Sequence, residues 1–314
     1  MMKYLVILLS DQSTSFCYYT PRGDVEEHKL IPLETLRAAI KFAFMEDMFI
    51  QFVLPSFALP TEYEDIISST KASIIAPAST IHNADVLIIG GISEFNDIKI
   101  VPDTNYVLRT NKSEFFGQYK EILKRLSDFM RLNIVFTDIE KFTESDFESY
   151  KQILNEFADQ VKLILLLGKN VQINLLTDRL GQSEMNNCNA GNNTITIAPD
   201  GQFYICPAFY FAQEQPIGNL VDGVTIINKR LYKVEYAPLC RMCDAYQCKR
   251  CVYLNKLLTR EVNIPSREQC VMAHIERNAS RLLLLGLREQ CNYLPEIDIK
   301  EIPYLDPFDN IKNN

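Results

Sequence analysis

Seven of the nine cysteines lie in one stretch of the chain, and their spacing is typical of metal ligands. They are Cys188, Cys206, Cys240, Cys243, Cys248, Cys251 and Cys270. Two residues separate Cys240 from Cys243 and also Cys248 from Cys251, a spacing that lets two thiolates turn toward one metal. Such pairs suit a tetrahedral zinc site or the ligands of an iron–sulfur cluster. Buried, inert cysteines are the weaker interpretation, because clustered thiols in a reducing compartment rarely occur without a metal.

The order of these cysteines, together with Gly201, resembles that of the SPASM domain of radical-SAM peptide maturases. That domain has a cysteine followed at a distance by a Gly-x4-Cys motif, and Cys188, Gly201 and Cys206 match it. Its central run of four cysteines is one residue longer than the run found here in each of two gaps. The resemblance covers residues 186 to 275 and implies two auxiliary [4Fe–4S] clusters.

Carried over by position, the resemblance implies two sets of cluster ligands. The first set has three cysteines, and its fourth position is open or filled by another side chain, for which His274 is a candidate. The second set has four cysteines and is closed. The first set is Cys188, Cys206 and Cys251, and the second is Cys240, Cys243, Cys248 and Cys270. An open iron position can bind a substrate thiolate or water, so the first set is expected to be the functional one.

A radical-SAM core carries Cys-x3-Cys-x2-Cys after its first strand, to hold the cluster that binds S-adenosylmethionine. The matching residues here are Ser10, Thr14 and Cys17, so two of the three thiolates are missing. The glycine-rich turn that grips the cofactor is also replaced, by residues 55–58 (PSFA). Because one thiolate cannot hold a [4Fe–4S] cluster, we expect no S-adenosylmethionine binding and no radical-SAM activity. A polar loop with one buried thiol is the alternative interpretation of these residues.

The elements that position these residues follow from hydrophobic periodicity. Apolar runs predict strands, and the stripes between them predict amphipathic helices; the alternation favours a mostly parallel sheet. The predicted strands include Tyr4–Leu9, Phe49–Leu54, Val86–Ile89, Ile134–Phe136, Val161–Leu167 and Val171–Leu176. The predicted class is α/β, with a partial (βα) barrel resembling a radical-SAM core over residues 1–185. A small SPASM-like cysteine-rich domain, a β-hairpin plus helices, follows over residues 186–290, and a tail over 291–314.

The net charge of −8 arises entirely in residues 1–187, which hold 18 basic and 26 acidic side chains. Residues 229–288 are locally basic, with 12 basic and five acidic side chains, and positive charge favours an anionic cluster nearby. The acidic balance disfavours nucleic-acid binding. No apolar run has the roughly 18 residues that a membrane span needs, and no secretory leader is visible, so a cytoplasmic protein is expected.

As a whole, the chain resembles a degenerate radical-SAM/SPASM protein, closest to the CXXX repeat peptide maturase family. The resemblance implies an iron–sulfur protein in the maturation of a ribosomally synthesised, cysteine-rich peptide, with clusters used for substrate binding or electron relay. Its implied partners are the precursor peptide, an active radical-SAM or other modifying enzyme, and an electron donor. The alternative is a non-catalytic peptide-binding scaffold with a structural zinc or cluster site.

Overall fold

The computed structural model describes residues 2–21, 28–80, 83–185 and 188–311. The chain forms two compact units that alternate along the sequence. The first unit comprises Met1–Ile89 and Cys188–Tyr236, and the second comprises Gly90–Asn187 and Ala237–Asn314. The predicted domain boundary at residue 185 divides the sequence into consecutive segments, whereas the two units are defined by which residues pack together. The predicted boundary is therefore not tested by the units and stays a prediction.

Strands and helices alternate through the first half of the chain. The strands are β1 (Tyr4–Leu8), β2 (Phe49–Val53), β3 (Ala72–Pro77), β4 (Val86–Ile89), β5 (Asn105–Thr110), β6 (Arg131–Phe136), β7 (Gln172–Ile173), β8 (Thr194–Ile197), β9 (Gln202–Tyr204), β10 (Gly218–Asn219) and β11 (Gly223–Val224). The α-helices are α1 (Leu33–Met45), α2 (Thr61–Ser69), α3 (Ile92–Asp97), α4 (Lys112–Arg125), α5 (Glu144–Leu166), α6 (Asp178–Gly181), α7 (Pro207–Phe211), α8 (Val252–Thr259), α9 (Arg267–Arg288) and α10 (Pro307–Ile311). This mixture confirms the predicted α/β class.

The first unit is built around β1, whose residues Leu5 to Leu8 are almost completely buried. A strand buried on both faces needs a run of apolar side chains, which is what the sequence provides here. Strand β1 pairs in parallel with β2 on one side and with β8 on the other, and β2, β3 and β4 continue in parallel. Strands β8 to β11 are antiparallel neighbours, and β8 and β9 form the predicted hairpin, with Gly201 at φ +79° in its turn.

The second unit contains the parallel strands β5, β6 and β7 and the long helices α5 and α9, which pack against each other. The predicted strand Val161–Leu167 is wrong, because α5 extends through Leu166. Phe157, Val161 and Ile164 recur at helical spacing and are all buried, so they continue one apolar face of the helix. The predicted strand Val171–Leu176 shrinks to the two residues of β7, after which a turn begins.

Among the residues that the structure describes, no helix is both long and apolar enough to cross a lipid bilayer.

Candidate metal centre

All four cysteines of the second predicted set belong to the second unit. Cys240, Cys243 and Cys248 lie on the loop before α8, and Cys270 lies in the first turn of α9. The loop turns tightly, since the Cys243 N–H donates to the Cys240 carbonyl at 3.1 Å and the Cys248 N–H donates to the Ala245 carbonyl at 2.9 Å. These two turns make the loop between the three cysteines compact.

Helix α9 presents Cys270 from a well-defined start. Ser266 is its N-cap: its hydroxyl accepts a hydrogen bond from the Gln269 N–H at 3.4 Å, and the Gln269 side chain accepts one from the Ser266 N–H at 2.9 Å. This reciprocal pair is a capping box, which satisfies two backbone donors that a helix start leaves unbonded. This capping box fixes the backbone of the turn that carries Cys270.

The four thiols of the second set lie close enough for their charges to interact. Burial raises the pKa of Cys248 and that of Cys270, and the charges of neighbouring cysteines of the set raise both further. Burial also raises the pKa of Cys243 to about 11, with a further contribution from Cys240. Clustered thiols with raised pKa values stay protonated at neutral pH unless a bound cation replaces their protons. A set of four thiols supplies the kind of ligand that an iron–sulfur cluster takes.

Positive charge reaches the same thiols from Arg250, which is only 2% exposed. Burial raises the pKa of Cys240, while the charge of the Arg250 guanidinium and its hydrogen bond to the thiol act in the opposite direction. The backbone of Arg250 also hydrogen-bonds to Cys248 and opposes the rise in the pKa of that thiol. One residue thus favours the thiolate form of two cysteines of the set.

The cysteine loop is held to two helices by Asp244, the residue after Cys243. Its carboxylate accepts hydrogen bonds from Arg277 at 2.7 and 2.8 Å and from Arg179 at 3.2 Å. Both guanidinium groups are buried, with side chains 1% and 5% exposed. The Arg179 guanidinium also lies 4.4 Å from the centroid of the Tyr246 ring, a cation–π contact to the same loop. The bidentate pairing of Arg277 with Asp244 fixes the orientation of the loop as well as its position.

Two further contacts tie the loop to α9. The Gln247 side chain donates to the Ala273 carbonyl at 2.6 Å. His274 Nε2 lies 3.5 Å from Cys243 Sγ, and His274 Nδ1 contacts the Leu305 carbonyl oxygen. Because a carbonyl only accepts, Nδ1 carries the proton in the neutral ring. Burial lowers the pKa of His274, which favours that neutral ring. Both ring nitrogens of this candidate ligand are engaged within the second unit.

The first predicted set is divided between the units. Cys188 is exposed before β8, where its carbonyl accepts a hydrogen bond from the Thr194 hydroxyl at 2.8 Å, and half-buried Cys206 is the N-cap of α7; both belong to the first unit. Cys251 belongs to the second unit, where its sulfur caps α8 by accepting from the Leu254 N–H at 3.5 Å. The assignment of these three cysteines to one cluster stays a prediction.

Over the ranges 2–21, 28–80, 83–185 and 188–311, no group of three or more His, Cys, Asp or Glu side chains is arranged to hold a single metal ion.

The loop after β1 contains the residues that match the radical-SAM motif, and hydrogen bonds close it. Ser10 and Ser13 are completely buried. The Ser10 N–H donates to the Ser13 hydroxyl at 3.0 Å, which donates to the Val53 carbonyl at 2.8 Å, and the Thr14 N–H donates to the Leu54 carbonyl at 2.9 Å. Cys17 is half-buried. The hydroxyl residues here serve the internal structure of the loop.

Aromatic packing completes this loop. The Tyr19 ring, 2% exposed, stacks on Phe211 of α7 with centroids 5.1 Å apart and planes inclined by 10°. Its hydroxyl donates to the Thr14 carbonyl at 3.0 Å. Stacked, buried rings of this kind stabilise a fixed conformation. The sequence offered no signal for this contact, since more than 190 residues separate the two rings along the chain.

Nothing in the sequence pointed directly to Asp244, Arg250 and Arg277 as parts of the centre. The first two lie between the cysteines, which was the only available clue. Arg277 is completely buried in α9, where a charged residue is unexpected without a partner.

No protein-family model and no curated protein matches the chain. Solved structures of similar fold include hexahistidine-tagged anSMEcpe with bound AdoMet, at a TM-score of 0.62 and 15% identity, covering 94% of this chain and 97% of that one. Native anSMEcpe with bound AdoMet and the Cp18Cys peptide matches at a TM-score of 0.61 and 15% identity, covering 92% and 100%. At this identity the likeness shows a shared fold and nothing about activity.

Proposed function

We propose that this protein is an iron–sulfur protein that takes part in the maturation of a ribosomally synthesised, cysteine-rich peptide without cleaving S-adenosylmethionine. The observation that carries the proposal is the group of four mutually interacting thiols in the second unit, of which Cys240 is buried and the other three are half-buried. A [4Fe–4S] cluster bound there supplies one-electron redox chemistry. The residues that would hold it are Cys240, Cys243, Cys248 and Cys270.

The protein's own groups provide what an anionic cluster requires. Arg250 hydrogen-bonds to Cys240, and the guanidinium of Arg277 also favours the thiolate form of Cys243. Partial burial raises the cost of ionising the thiols, and positive charge offsets that cost. The fold positions all these groups through α9 and the loop that Asp244 fixes to it. The proposal includes two further points. This segment is SPASM-like, and the chain is a degenerate member of the CXXX repeat peptide maturase family.

The loop after β1 supports the absence of radical-SAM activity. Its Ser10 and Thr14 occupy the positions of two ligand cysteines, and buried Ser13 links the loop to β2 through the Val53 carbonyl. A hydroxyl group is a poor ligand for iron–sulfur clusters, which take thiolates. Cys17 alone cannot replace the three ligands.

A precursor peptide is the proposed binding partner. Support comes from the fold likeness to anSMEcpe, which has been solved with AdoMet and a peptide bound. The proposed first set of Cys188, Cys206 and Cys251 leaves one ligand position, which a substrate thiolate could take. An active modifying enzyme and an electron donor are the further partners of this proposal, and the cytoplasm is its proposed location.

A second candidate function is a peptide-binding scaffold whose metal only stabilises the fold. The four cysteines of the proposed second set favour it, because four protein thiolates leave no position for a substrate. In this case zinc or one cluster fixes the loop before α8, and a separate enzyme performs the chemistry.

Anaerobic purification with iron, sulfide and zinc analysis and with absorption and EPR spectra tests the proposal. About eight iron and eight sulfide per chain are expected for two [4Fe–4S] clusters. Zinc with no sulfide would replace the redox proposal with the scaffold. Incubation with S-adenosylmethionine and dithionite is expected to give no 5′-deoxyadenosine; its formation would contradict the proposed loss of radical-SAM activity.

A further inference from the structure

Helix α9 presents a row of hydrogen-bond donors, one at every seventh residue. Seven residues make nearly two turns, so side chains at this spacing lie on one face of the helix. The row consists of Arg267, His274, Arg281 and Arg288. All four contact the segment that follows the helix, residues 293–306, which we call the strap.

The strap runs back along α9 in the direction opposite to that of the helix. From the last member of the row to the first, the contacts fall on successively later residues of the strap. In that order, the partners are the Tyr293 and Ile297 carbonyls at 3.1 and 2.6 Å, the Glu301 carboxylate at 3.0 Å, the Leu305 carbonyl, and the Asp306 carboxylate at 3.3 Å. The row thus holds the strap over most of the length of the helix.

Side chains attach the strap to the rest of the second unit. In the part of the chain that the structure describes, backbone–backbone hydrogen bonds of the strap join only residues between 291 and 309. Of the strap residues, which are described throughout, Ile299 alone is buried, at 4% exposed. A segment with few buried apolar contacts and no backbone pairing to its neighbours opens at a lower free energy than the fold around it.

The strap covers one side of the cysteine centre through His274. This residue is 3% exposed, and its Nε2 lies 3.5 Å from Cys243 Sγ. The strap encloses the imidazole on the other side: Leu305 accepts from Nδ1, and the Tyr304 ring packs edge-on with centroids 5.5 Å apart. Release of the strap therefore opens the side of Cys243 that His274 faces.

A cavity of about 320 Å³ lies where the strap passes the starts of α5 and α9. The strap contributes residues 303–306 to its lining, and α9 contributes Val271, which follows Cys270 in sequence. Packing beside this turn of α9 is therefore incomplete, and movement of the strap widens the cavity there.

We propose that the strap is a cover for the second set of cysteines and that its opening controls access to their thiols. A metal site needs an entry path, and the strap closes one side of this centre. The inference rests on the proposed function only for what enters, a metal or an iron–sulfur cluster. Access to the thiols is measured on the metal-free chain, so the cover and the proposed function are tested separately.

Alkylation by N-ethylmaleimide, with peptide mass spectrometry, measures the access of each thiol in the metal-free full chain. Glu301→Arg with Asp306→Ala removes two anchors from the strap and leaves α9 unchanged. Glu296→Arg with Asp298→Ala is the matched control, because it makes the same changes at exposed carboxylates of the same strap. Hydrogen exchange of each variant shows whether the strap alone has opened.

The Glu301→Arg, Asp306→Ala chain is expected to exchange faster in the strap and to react about tenfold faster at Cys243 and Cys270, since two charged pairs are lost. The control is expected to match the wild type. Adding Arg281→Glu restores a pair of opposite charges and should slow the reaction again. Exposed Cys291 and Cys206 of the first unit are internal references whose rates should not change.

Three results would overturn the inference. The first is equal alkylation of Cys243 and Cys270 in the two double variants. The second is unchanged exchange in the strap, which would show that the row does not hold it. The third is loss of protection throughout α5 and α9, which would mean that the whole unit had opened. A chain that shows the expected rates but takes up neither iron nor zinc would refute the proposed function and leave the cover in place.

Discussion

Replacing Asp244 with alanine is expected to destabilise the second unit and loosen the cysteine loop. Asp244 lies between two arginines whose side chains are 1% and 5% exposed. Removing the carboxylate leaves both guanidinium groups buried without the partner that they share. Since Asp244 follows Cys243 directly, the loss also removes the contact that holds this candidate ligand close to α9.

The size of the expected loss in stability follows from how far the side chains of Asp244, Arg277 and Arg179 are buried. Breaking a buried ion pair by removing one partner costs about 3–5 kcal/mol. The Asp244 side chain is itself 36% exposed, so water screens part of the interaction and the lower figure, about 3 kcal/mol, applies. In a unit of this size each kcal/mol lowers the unfolding temperature by about 2–4 °C, so a fall of about 6–12 °C is expected.

Calorimetry of the wild type and of Asp244→Ala, with iron analysis of both, measures the effect. Asp159→Ala is the control, because Asp159 is 78% exposed and forms only a surface pair with Lys162 at 3.3 Å. A surface pair contributes at most about 1 kcal/mol. A shift for Asp244→Ala no larger than that of the control, with full iron content, would refute the argument.

The Asp244 carboxylate also makes the stability of the second unit depend on pH. Burial opposes ionisation of Asp244, but the hydrogen bonds and charge of Arg277, with Arg179, hold its pKa below the usual value. Its contribution to stability is therefore present above the unfolded pKa, near 3.8, and is lost as the pH falls through the lower folded pKa. Asp244→Ala should show a flatter profile of stability against pH below this value in urea unfolding.

Three further predictions concern α9 and the cysteines. Cys270→Ala should reduce iron content and unfolding temperature more than Cys188→Ala, because it removes one of the four ligands of the proposed closed site; equal, negligible effects would contradict the two-set assignment. Burial raises the pKa of Glu276 to about 7, so the free energy of unfolding should fall as the pH rises from 4.5 to 7. Urea unfolding should show a smaller fall for Glu276→Gln. The same slope of stability against pH in both proteins would contradict this prediction. Ser266→Ala should cost about 1 kcal/mol through loss of the α9 cap, and an unchanged urea midpoint would rule the cap out.

Much of the local structure could be predicted from the sequence because it depends on neighbours along the chain. Strand β1 follows from a run of apolar residues, the hairpin from Gly201 in its turn, and the start of α9 from Ser266 and Gln269. The Val161–Leu167 segment shows the limit of this reasoning. A short apolar run fits a buried strand and a buried helix equally well, and only its packing in α5 distinguished them.

The sequence by itself determined the types and order of the candidate ligands, because thiol chemistry and residue spacing are properties of the chain. It could not determine which charges stand beside those thiols. Arg277, Arg179 and Asp244 come from distant segments and meet only when α6, α9 and the cysteine loop pack together. The burial that raises the thiol pKa values is likewise a product of packing, since an extended chain leaves every thiol in water. The tertiary structure therefore decided the electrostatics of the candidate centre.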